Sequence, residues 1–280
     1  MTQYVLFSGA SSGIGKAASE ALAAQGMTVF AGALSEAEAE AMRASGTKGI
    51  IPVVLDVTKI ESIDAAIATI SETIGPEGCL NALVNCAGVD YNAPLQTLEV
   101  REITQMVNVN YLGGVLLTRA AMSLMKKDQS RVVCIGSAMG LMPTPIVTIY
   151  SSTKTAIEGF CDALRVELIP LGIKVVLVEP GVIKTPLTGA APKVLETMLS
   201  RMSGDMRAHY EKGMRTIVAG STNPKTTSST EVSSKVIVEA VTSANPARRY
   251  QIGLDGKAAK IVNLLPHAVQ DWIHKKVMGF

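Results

Sequence analysis

Short apolar segments alternate with helical segments along the first two thirds of the chain, and this alternation restricts the fold more than any other feature. Apolar runs predict six buried strands, at residues 4–7, 28–31, 50–55, 82–84, 132–135 and 175–178. Helical patterns lie between them, at 13–25, 35–44, 62–74, 98–125 in one or two pieces, and 150–169. Because parallel strands need crossovers and crossovers are right-handed, this order predicts a doubly wound parallel sheet in a three-layer α/β/α arrangement.

The length and the end of the alternation bear on domain organisation. A chain of 280 residues is long enough for nearly two domains, but single α/β domains reach about 250 residues, so we expect one Rossmann-fold domain spanning 1–280. After Pro186 the alternation stops. Apolar residues between Leu195 and Met206 have helical spacing and predict one amphipathic helix, followed by a polar loop at 220–230. A helix at 231–243 and a short strand at 250–253 would complete the sheet.

Composition excludes several classes of protein. Hydrophobic residues make up 48% and charged residues 18%, which excludes a disordered chain. A net charge of +2, evenly scattered, predicts no nucleic-acid partner. The four cysteines form no CxxC pair, so neither a zinc site nor a redox motif is indicated and a cytoplasmic location is favoured. We expect no metal site and no membrane-spanning segment, while peripheral membrane contact stays open.

The segment Ser8–Gly15, with the sequence SGASSGIG, follows the first predicted strand and opens the first predicted helix. Glycines at such a turn bring the backbone close to a pyrophosphate, whose charge is stabilised by free N–H groups at the helix N-terminus. The spacing is G-x-x-x-G-x-G rather than G-x-G-x-x-G. The turn therefore predicts a dinucleotide site, and the alternative is a strand-to-helix turn without a ligand.

Two other strand ends carry candidate nucleotide contacts. Asp56, after the third strand, could accept a hydrogen bond from an adenine amino group or cap the next helix. The sequence Asn85-Cys86-Ala87-Gly88 ends the fourth strand, where a glycine lets the backbone lie beside a ribose or simply turn.

The pair Tyr150 and Lys154 has a spacing of four and projects from one helix face. An ammonium group beside a phenol favours the phenolate, so we expect Lys154 to lower the pKa of Tyr150 from its reference value of about 10. Alone, such a pair is more often a solvated surface pair. Ser137, at the end of the fifth strand, and Asn110, within a helix, are predicted to lie at the same edge of the sheet.

The motifs SGASSGIG, DVT, NCAG, VNYLG, IGSAMG, YSSTK and EPGVIKTP, in this order, resemble the short-chain dehydrogenase/reductase family, specifically its retinol, hydroxysteroid and 3-hydroxybutyrate dehydrogenase branch. The resemblance covers residues 4 to 185 and implies a nicotinamide-dependent oxidoreductase. Ser8 stands where Thr is usual, and Cys86 where a second Asn is usual.

The resemblance implies a role for each matching residue. Tyr150 corresponds to the general acid/base, Lys154 to the residue that lowers its pKa and holds the nicotinamide ribose, and Ser137 to the donor that orients the substrate oxygen. Asn110 corresponds to the support of a proton-relay water; we prefer it to Asn108 because NYLG fits the NxxG pattern. The implied cofactor-binding residues are Gly9, Ser11, Ser12, Gly13, Ile14, Gly15, Leu34, Asp56, Val57, Asn85, Ala87, Gly88, Tyr150, Lys154, Pro180, Val182 and Thr185.

Cofactor and substrate choice are less constrained. The second strand ends in Ala33-Leu34-Ser35, with neither the Asp that repels a 2′-phosphate nor the Arg that attracts one, so NAD(H) and NADP(H) both stay open and we favour NAD. We expect residues 186–230 to cover the substrate. Ser137, Met139, Met142, Tyr150 and Leu187 are the predicted substrate contacts.

Methionine adapts to bulky apolar ligands, and six methionines lie either just after Ser137 or between residues 198 and 214, so a lipophilic steroid- or retinoid-like alcohol or ketone is favoured. The alternative for 195–206 is ordinary core packing. A small acid such as 3-hydroxybutyrate would need a basic side chain, for which Lys184, Lys193, Arg201 and Arg207 are candidates. A non-catalytic dinucleotide sensor is the less favoured alternative, and family analogy implies a homodimer or homotetramer.

Overall fold

The computed structural model describes residues 3–279, so Met1, Thr2 and Phe280 of the predicted domain lie outside the described residues. Seven parallel strands form one sheet in the order β3-β2-β1-β4-β5-β6-β7. The order in which strands are added therefore reverses between β1 and β4. This confirms the predicted doubly wound α/β fold. The strands are β1 (Tyr4–Ser8), β2 (Thr28–Ala33), β3 (Ile50–Val54), β4 (Leu80–Asn85), β5 (Arg131–Ile135), β6 (Lys174–Pro180) and β7 (Arg249–Ile252).

Helices cover both faces of the sheet. Buried apolar residues of α1 and α10 pack on one face, and those of α3, α5 and α7 pack on the other. No helix between residues 3 and 279 is both long enough and apolar enough to cross a lipid bilayer. The helices are α1 (Gly13–Ala24), α2 (Glu36–Ala44), α3 (Ile60–Ile74), α4 (Val100–Val107), α5 (Gly113–Ala121), α6 (Ala138–Leu141), α7 (Thr148–Glu167), α8 (Pro186–Ser200), α9 (Gly204–Thr222), α10 (Thr230–Thr242), α11 (Gly253–Val262) and α12 (His267–Met278).

The helical segment at 98–125, expected in one or two pieces, forms two helices. A π-helical turn, Asn108–Leu112, separates α4 from α5, and Asn110 lies at its centre. Turns of this kind are frequent at functional sites, and the wider turn releases backbone groups from the regular i→i−4 pattern.

The segment 186–230 is helical, and two predictions for it were wrong. The helix expected at 195–206 ends at Ser200, and α9 starts again at Gly204 because the Ser203 hydroxyl accepts a hydrogen bond from the Met206 backbone N–H. The loop expected at 220–230 is shorter, since α9 continues to Thr222 and α10 begins at Thr230.

The apolar stripe of α8 packs into a separate small core, which we call the cover cluster. Its buried residues are Ala93, Ile146, Ala191, Leu195, Met198, Leu199, Met214, Val218 and Met278. Met198 and Met214 are at most 2% exposed, so both pack in the core and do not line the cleft. For Met198 this is the core-packing alternative given above for 195–206. Ile146 has a φ of 75°, a conformation that costs a β-branched residue roughly 1–2 kcal/mol, and packing in the cover cluster offsets that strain.

A partly buried ion pair joins the end of α8 to α4. The Arg201 guanidinium donates to both carboxylate oxygens of Glu102, each at 2.9 Å, and the Glu102 side chain is only 7% exposed. The same carboxylate accepts a hydrogen bond from the Glu99 backbone N–H at the start of α4. Arg201, one of the basic residues considered for an acidic substrate, is therefore occupied as a structural partner.

Arg201→Met should destabilise the fold by roughly 2 kcal/mol, because it leaves the buried Glu102 carboxylate without its cationic partner. Urea unfolding would measure the change. The matched control is Arg101→Met, whose side chain is 77% exposed and pairs with Glu99 at the surface. Equal losses in the two variants would contradict a special contribution from the buried pair.

Candidate active site

A cleft of about 470 Å³ opens at the carboxyl edge of the sheet, beside the point where the strand order reverses. The glycine turn after β1 forms one end of the cleft, and Tyr150 and Lys154 on α7 form part of its lining. Its lining includes these predicted cofactor residues: Gly9, Ser11, Ser12, Gly13, Ile14, Gly15, Leu34, Asp56, Val57, Ala87, Gly88, Tyr150, Lys154, Pro180 and Thr185.

The glycine turn is packed so closely that side chains are excluded at two positions. A Cβ atom at Gly9, whose φ is 67°, would lie 2.8 Å from the Ala87 Cα, and one at Gly15 would lie 2.2 Å from the Gly9 carbonyl oxygen. The Ser8 hydroxyl accepts hydrogen bonds from the backbone N–H groups of Cys86 and Ala87, at 3.0 and 3.1 Å. The ends of β1 and β4 are thus fixed against each other.

The N-terminus of α1 has the properties of an anion site. Ser12, the N-cap residue, makes no side-chain hydrogen bond to the first turn, and that turn contains no acidic residue. Backbone N–H groups at such an end are free to bind phosphate oxygens. Together with the cleft that Gly13 lines, this fits the pyrophosphate of a dinucleotide bound across the glycine turn.

At the adenosine end of the cleft, Asp56 does not cap the next helix, because the N-cap of α3 is Lys59; its side chain closes a local turn instead. Its carboxylate accepts hydrogen bonds from the Thr58 backbone N–H and hydroxyl and pairs with Lys59. Burial raises the pKa of Asp56, but these hydrogen bonds outweigh it and the pKa falls below its usual value. Its backbone N–H donates to the Ser62 hydroxyl, so this N–H is not available to adenine.

Glu38 is a cleft residue that the sequence reasoning missed. It lies on α2, and its carboxylate accepts a hydrogen bond from the Leu34 backbone N–H at 3.0 Å. The cleft thus has an acidic group at the end of β2, where the 2′ position of the ribose is read. The missed signal was the position of Glu38, three residues into a helix capped by Ser35.

Two predicted cofactor residues, Asn85 and Val182, use their polar groups in hydrogen bonds within the protein. The Asn85 amide donates to the Thr118 hydroxyl at 2.8 Å and is directed beneath the sheet edge, outside the lining of the large cleft. The Val182 backbone N–H donates to the Asp255 carboxylate. A Cβ atom at Gly181 would lie 1.9 Å from that carboxylate, so Asp255 on α11 fixes the turn after β6. Asp255 also escaped the sequence reasoning, since no local motif marks it.

Tyr150, Ser137 and Lys154 converge at the inner end of the cleft. The Ser137 hydroxyl hydrogen-bonds with the Tyr150 phenol, and Ser137 itself caps the short helix α6. The Lys154 ammonium donates to the Ile135 carbonyl oxygen at 3.0 Å and lies 5.5 Å from the centre of the Tyr150 ring. The sequence expectation that these three side chains share one edge of the sheet matches this geometry.

The expected lowering of the Tyr150 pKa is not what the structure gives. Burial raises the pKa of Tyr150 above its usual value, and the nearby Asp90 carboxylate raises it further, while the Ser137 hydrogen bond opposes both. Burial also lowers the pKa of Lys154 to about 8, although Cys86, Asp90 and Cys134 favour its charged form. Without a bound ligand, the phenol is therefore held in its protonated form.

Asp90 is the group that the sequence reasoning overlooked here. Burial raises its pKa to about 6, against the lowering effects of Asn92 and Lys154. Its Oδ1 atom is buried and has no hydrogen-bond partner, and the same is true of the Asn92 Oδ1 atom. A charged residue two positions after Gly88, at a strand end next to the site, was the signal available in the sequence.

Asn110 connects the π-helical turn to both neighbouring elements. Its amide exchanges hydrogen bonds with the Val89 backbone, at 2.8 and 2.9 Å, and donates to the Thr153 hydroxyl at 3.2 Å. That hydroxyl in turn donates to the Tyr150 carbonyl oxygen. Asn110 is only 4% exposed and positions the first turn of α7 beside the loop after β4.

Of the predicted substrate contacts, Leu187 and Tyr150 line the cleft, whereas Ser137, Met139 and Met142 are outside its lining. Near Tyr150 the remaining lining is uncharged and includes Val89, Gln105 and Val109. Among the described residues, Lys154 is the only basic side chain that lines this cleft. Lys184 and Lys193 are exposed, and Arg207 pairs with Glu211.

Comparisons with known proteins agree with this geometry. A family model described as short chain dehydrogenase matches residues 3–195. An NADPH-dependent 3-dehydrocapnine reductase from Ornithobacterium rhinotracheale is 37% identical over 194 residues, which cover 68% of this chain and 68% of that protein. Retinol dehydrogenase 7 from Rattus norvegicus is 32% identical over 266 residues, which cover 91% of this chain and 82% of that protein.

The solved structure of a short-chain dehydrogenase from Streptomyces avermitilis has the same fold. Its TM-score with this chain is 0.78 at 25% sequence identity, over 98% of this chain and 96% of that one.

Proposed function

The chain belongs to the short-chain dehydrogenase family of nicotinamide-dependent oxidoreductases, and we propose that Tyr150 is its general acid/base and that its substrate is a lipophilic secondary alcohol or ketone. The observation that carries the assignment of Tyr150 is its convergence with Ser137 and Lys154 at the inner end of the cleft. The uncapped N-terminus of α1 at the glycine turn supports the binding of the pyrophosphate in the same cleft.

Each side chain has a distinct part in the proposed reaction. The nicotinamide ring, when bound, accepts hydride from an alcohol carbon or supplies it to a ketone carbon. Tyr150 removes the hydroxyl proton in oxidation and donates a proton to the carbonyl oxygen in reduction. Ser137 steadies the oxygen on which charge develops, and Lys154 stabilises the phenolate when it forms.

Tyr150→Phe should lower kcat by at least about 100-fold, because proton transfer from a positioned group contributes roughly 10²–10⁴-fold. Cofactor binding, followed by NADH fluorescence, should persist since the pyrophosphate turn is untouched. The matched control is Tyr4→Phe at the start of β1, the opposite edge of the sheet. A Tyr150→Phe enzyme with near-normal kcat would refute the assignment.

The pH dependence of kcat/KM should depend on the charge of the Asp90 carboxylate. Tyr150 faces Asp90, Lys154 and Ser137, and Lys154 also faces the thiols of Cys86 and Cys134. Asp90→Asn removes a negative charge that holds protons on both Tyr150 and Lys154. The titration of the pair therefore moves to lower pH as a unit.

For alcohol oxidation, which needs the phenolate, the acid limb of the kcat/KM profile should shift down by roughly one pH unit in Asp90→Asn. A profile from pH 6 to 10 would measure it. Asp64→Asn, on the exposed side of α3, is the charge-matched control and should leave the limb in place. An unchanged limb in both variants would mean that Asp90 does not act on the pair.

NAD is the proposed cofactor. Glu38 would accept hydrogen bonds from ribose hydroxyl groups and repel a 2′-phosphate, and among the described residues Lys154 is the only basic side chain in the cleft lining. The NADPH dependence in the name of the 3-dehydrocapnine reductase argues the other way, so the two cofactors need direct comparison.

Glu38→Gln should raise kcat/KM for NADPH relative to NADH by roughly tenfold, since one carboxylate facing a phosphate is worth about one power of ten in affinity. The control is Glu40→Gln, an exposed residue of the same helix outside the cleft lining. A wild-type preference for NADPH, or an unchanged ratio in Glu38→Gln, would contradict the choice of NAD.

The lipophilic substrate class is supported by the uncharged lining next to Tyr150 and by the retinol dehydrogenase among the relatives. A small hydroxy acid needs a basic partner, and the candidates lie outside the cleft or are paired elsewhere. A non-catalytic sensor would not need the intact Tyr150–Lys154 pair.

A substrate panel run with both cofactors would test this choice. We expect turnover of retinol-like or steroid-like alcohols and ketones, and none of 3-hydroxybutyrate. Turnover of the hydroxy acid alone would favour the small-acid alternative, and the absence of any turnover across the panel would favour the sensor.

We also propose a single domain, with 186–230 as the segment that covers the substrate, because α8 begins directly at the cleft with Pro186 and Leu187. A homodimer or homotetramer is supported by exposed apolar residues on α4 and the π-helical turn that follows it, namely Val100 (80%), Val107 (40%) and Leu112 (41%). A cytoplasmic location is supported by the four cysteines, all of which have free thiols.

A further inference from the structure

The last two helices carry an exposed apolar surface that the proposed reaction does not use. We call it the C-terminal face. Its large apolar side chains, with their exposed fractions, are Leu254 (82%), Ile261 (65%), Leu264 (81%), Leu265 (37%), Val269 (40%) and Trp272 (59%). Single exposed apolar residues are normal on a soluble protein, but a continuous group of this kind marks an interaction surface.

The helical spacing places these side chains together. Leu254 and Ile261 are seven residues apart on α11, and Val269 and Trp272 are three apart on α12, so each pair shares one face of its helix. Leu264 and Leu265 lie in the turn between the two helices. The opposite side of α12 packs inward through Gln270 and Met278.

The charge of this surface is mainly positive. Four exposed lysines, Lys257, Lys260, Lys275 and Lys276, accompany one exposed acid, Asp271, because Asp255 is bound inward to Val182. The whole chain has 26 basic and 24 acidic residues, so the formal excess of +2 resides in these helices and the remainder of the chain is balanced.

Trp272 adds a third feature. The Lys276 ammonium lies 5.4 Å from the centre of its ring, so an amphipathic aromatic residue stands beside a cation at the edge of the apolar patch. Tryptophan and lysine in this arrangement are typical of helices that lie in the boundary between lipid headgroups and acyl chains.

We propose that the C-terminal face docks on an anionic lipid bilayer, with α11 and α12 lying in the interface rather than crossing it. Leucine, isoleucine and tryptophan side chains would enter the acyl boundary, while the lysines pair with acidic headgroups. A second copy of the chain fits less well, because a two-fold contact would bring two sets of four lysines together without acids to neutralise them.

Docking would bring the cleft close to the lipid. The α11 helix begins where β7 ends and packs against α6, the helix capped by Ser137, and α12 packs against α9. The C-terminal face therefore belongs to the same end of the molecule as the carboxyl edge of the sheet.

Vesicle co-sedimentation of the full chain tests the proposal, and binding to lipid requires no turnover, so failure of the proposed function would not affect it. We expect binding to phosphatidylcholine vesicles that contain phosphatidylserine, at least tenfold weaker binding to pure phosphatidylcholine, and loss of binding as salt is raised. The double variant Leu264→Ser, Trp272→Ser should bind roughly tenfold more weakly.

The matched control is Val166→Ser, Ile169→Ser, whose side chains are 65% and 68% exposed at the end of α7, and it should bind like the wild type. Circular dichroism melting would verify that both variants are folded. Absence of binding to acidic vesicles, or equal binding by both double variants, would overturn the proposal. So would a wild-type dimer that Leu264→Ser, Trp272→Ser converts to a monomer without any lipid binding.

Discussion

The buried ammonium group of Lys154 is the constraint on which the arrangement of the site depends. Lys154 is 6% exposed, and the only hydrogen bond recorded for its ammonium among the described residues is to the Ile135 carbonyl. One neutral acceptor cannot replace the water that a cation loses on burial. The Asp90 carboxylate favours the charged form of Lys154 and offsets part of this cost, which couples the loop after β4 to α7.

The same arrangement sets the protonation state of Tyr150. The carboxylate that favours the charged lysine also disfavours the phenolate of Tyr150, because the same negative potential acts on both groups. Ser137 opposes it with a hydrogen bond to the phenol. The protonation state of the site is thus a balance among groups from three different elements rather than a property of the Tyr150–Lys154 pair.

Features with local causes could be predicted from the sequence, and features with tertiary causes could not. Strands and helices up to β6 follow from apolar periodicity, and the glycine turn follows from the absence of side chains at Gly9 and Gly15. The direction of the Tyr150 pKa could not be predicted, because Asp90 is sixty positions away in the chain and its proximity is a result of folding. The same holds for Glu38 and for Asp255, whose partner Val182 lies 73 residues earlier.

The π-helical turn at Asn108–Leu112 has a geometric consequence for the whole wall beside the cleft. Each residue of an α-helix advances the direction of the side chains by about 100°. The extra residue of the wide turn therefore sets the rotation of α5 relative to α4, and it lets Asn110 reach Val89 while Gly113 still packs against Val57. The extra residue changes the rotation of α5 about its axis rather than the length of the segment. Deleting one residue from 108–112 would therefore turn every side chain of α5 by about 100° relative to α4.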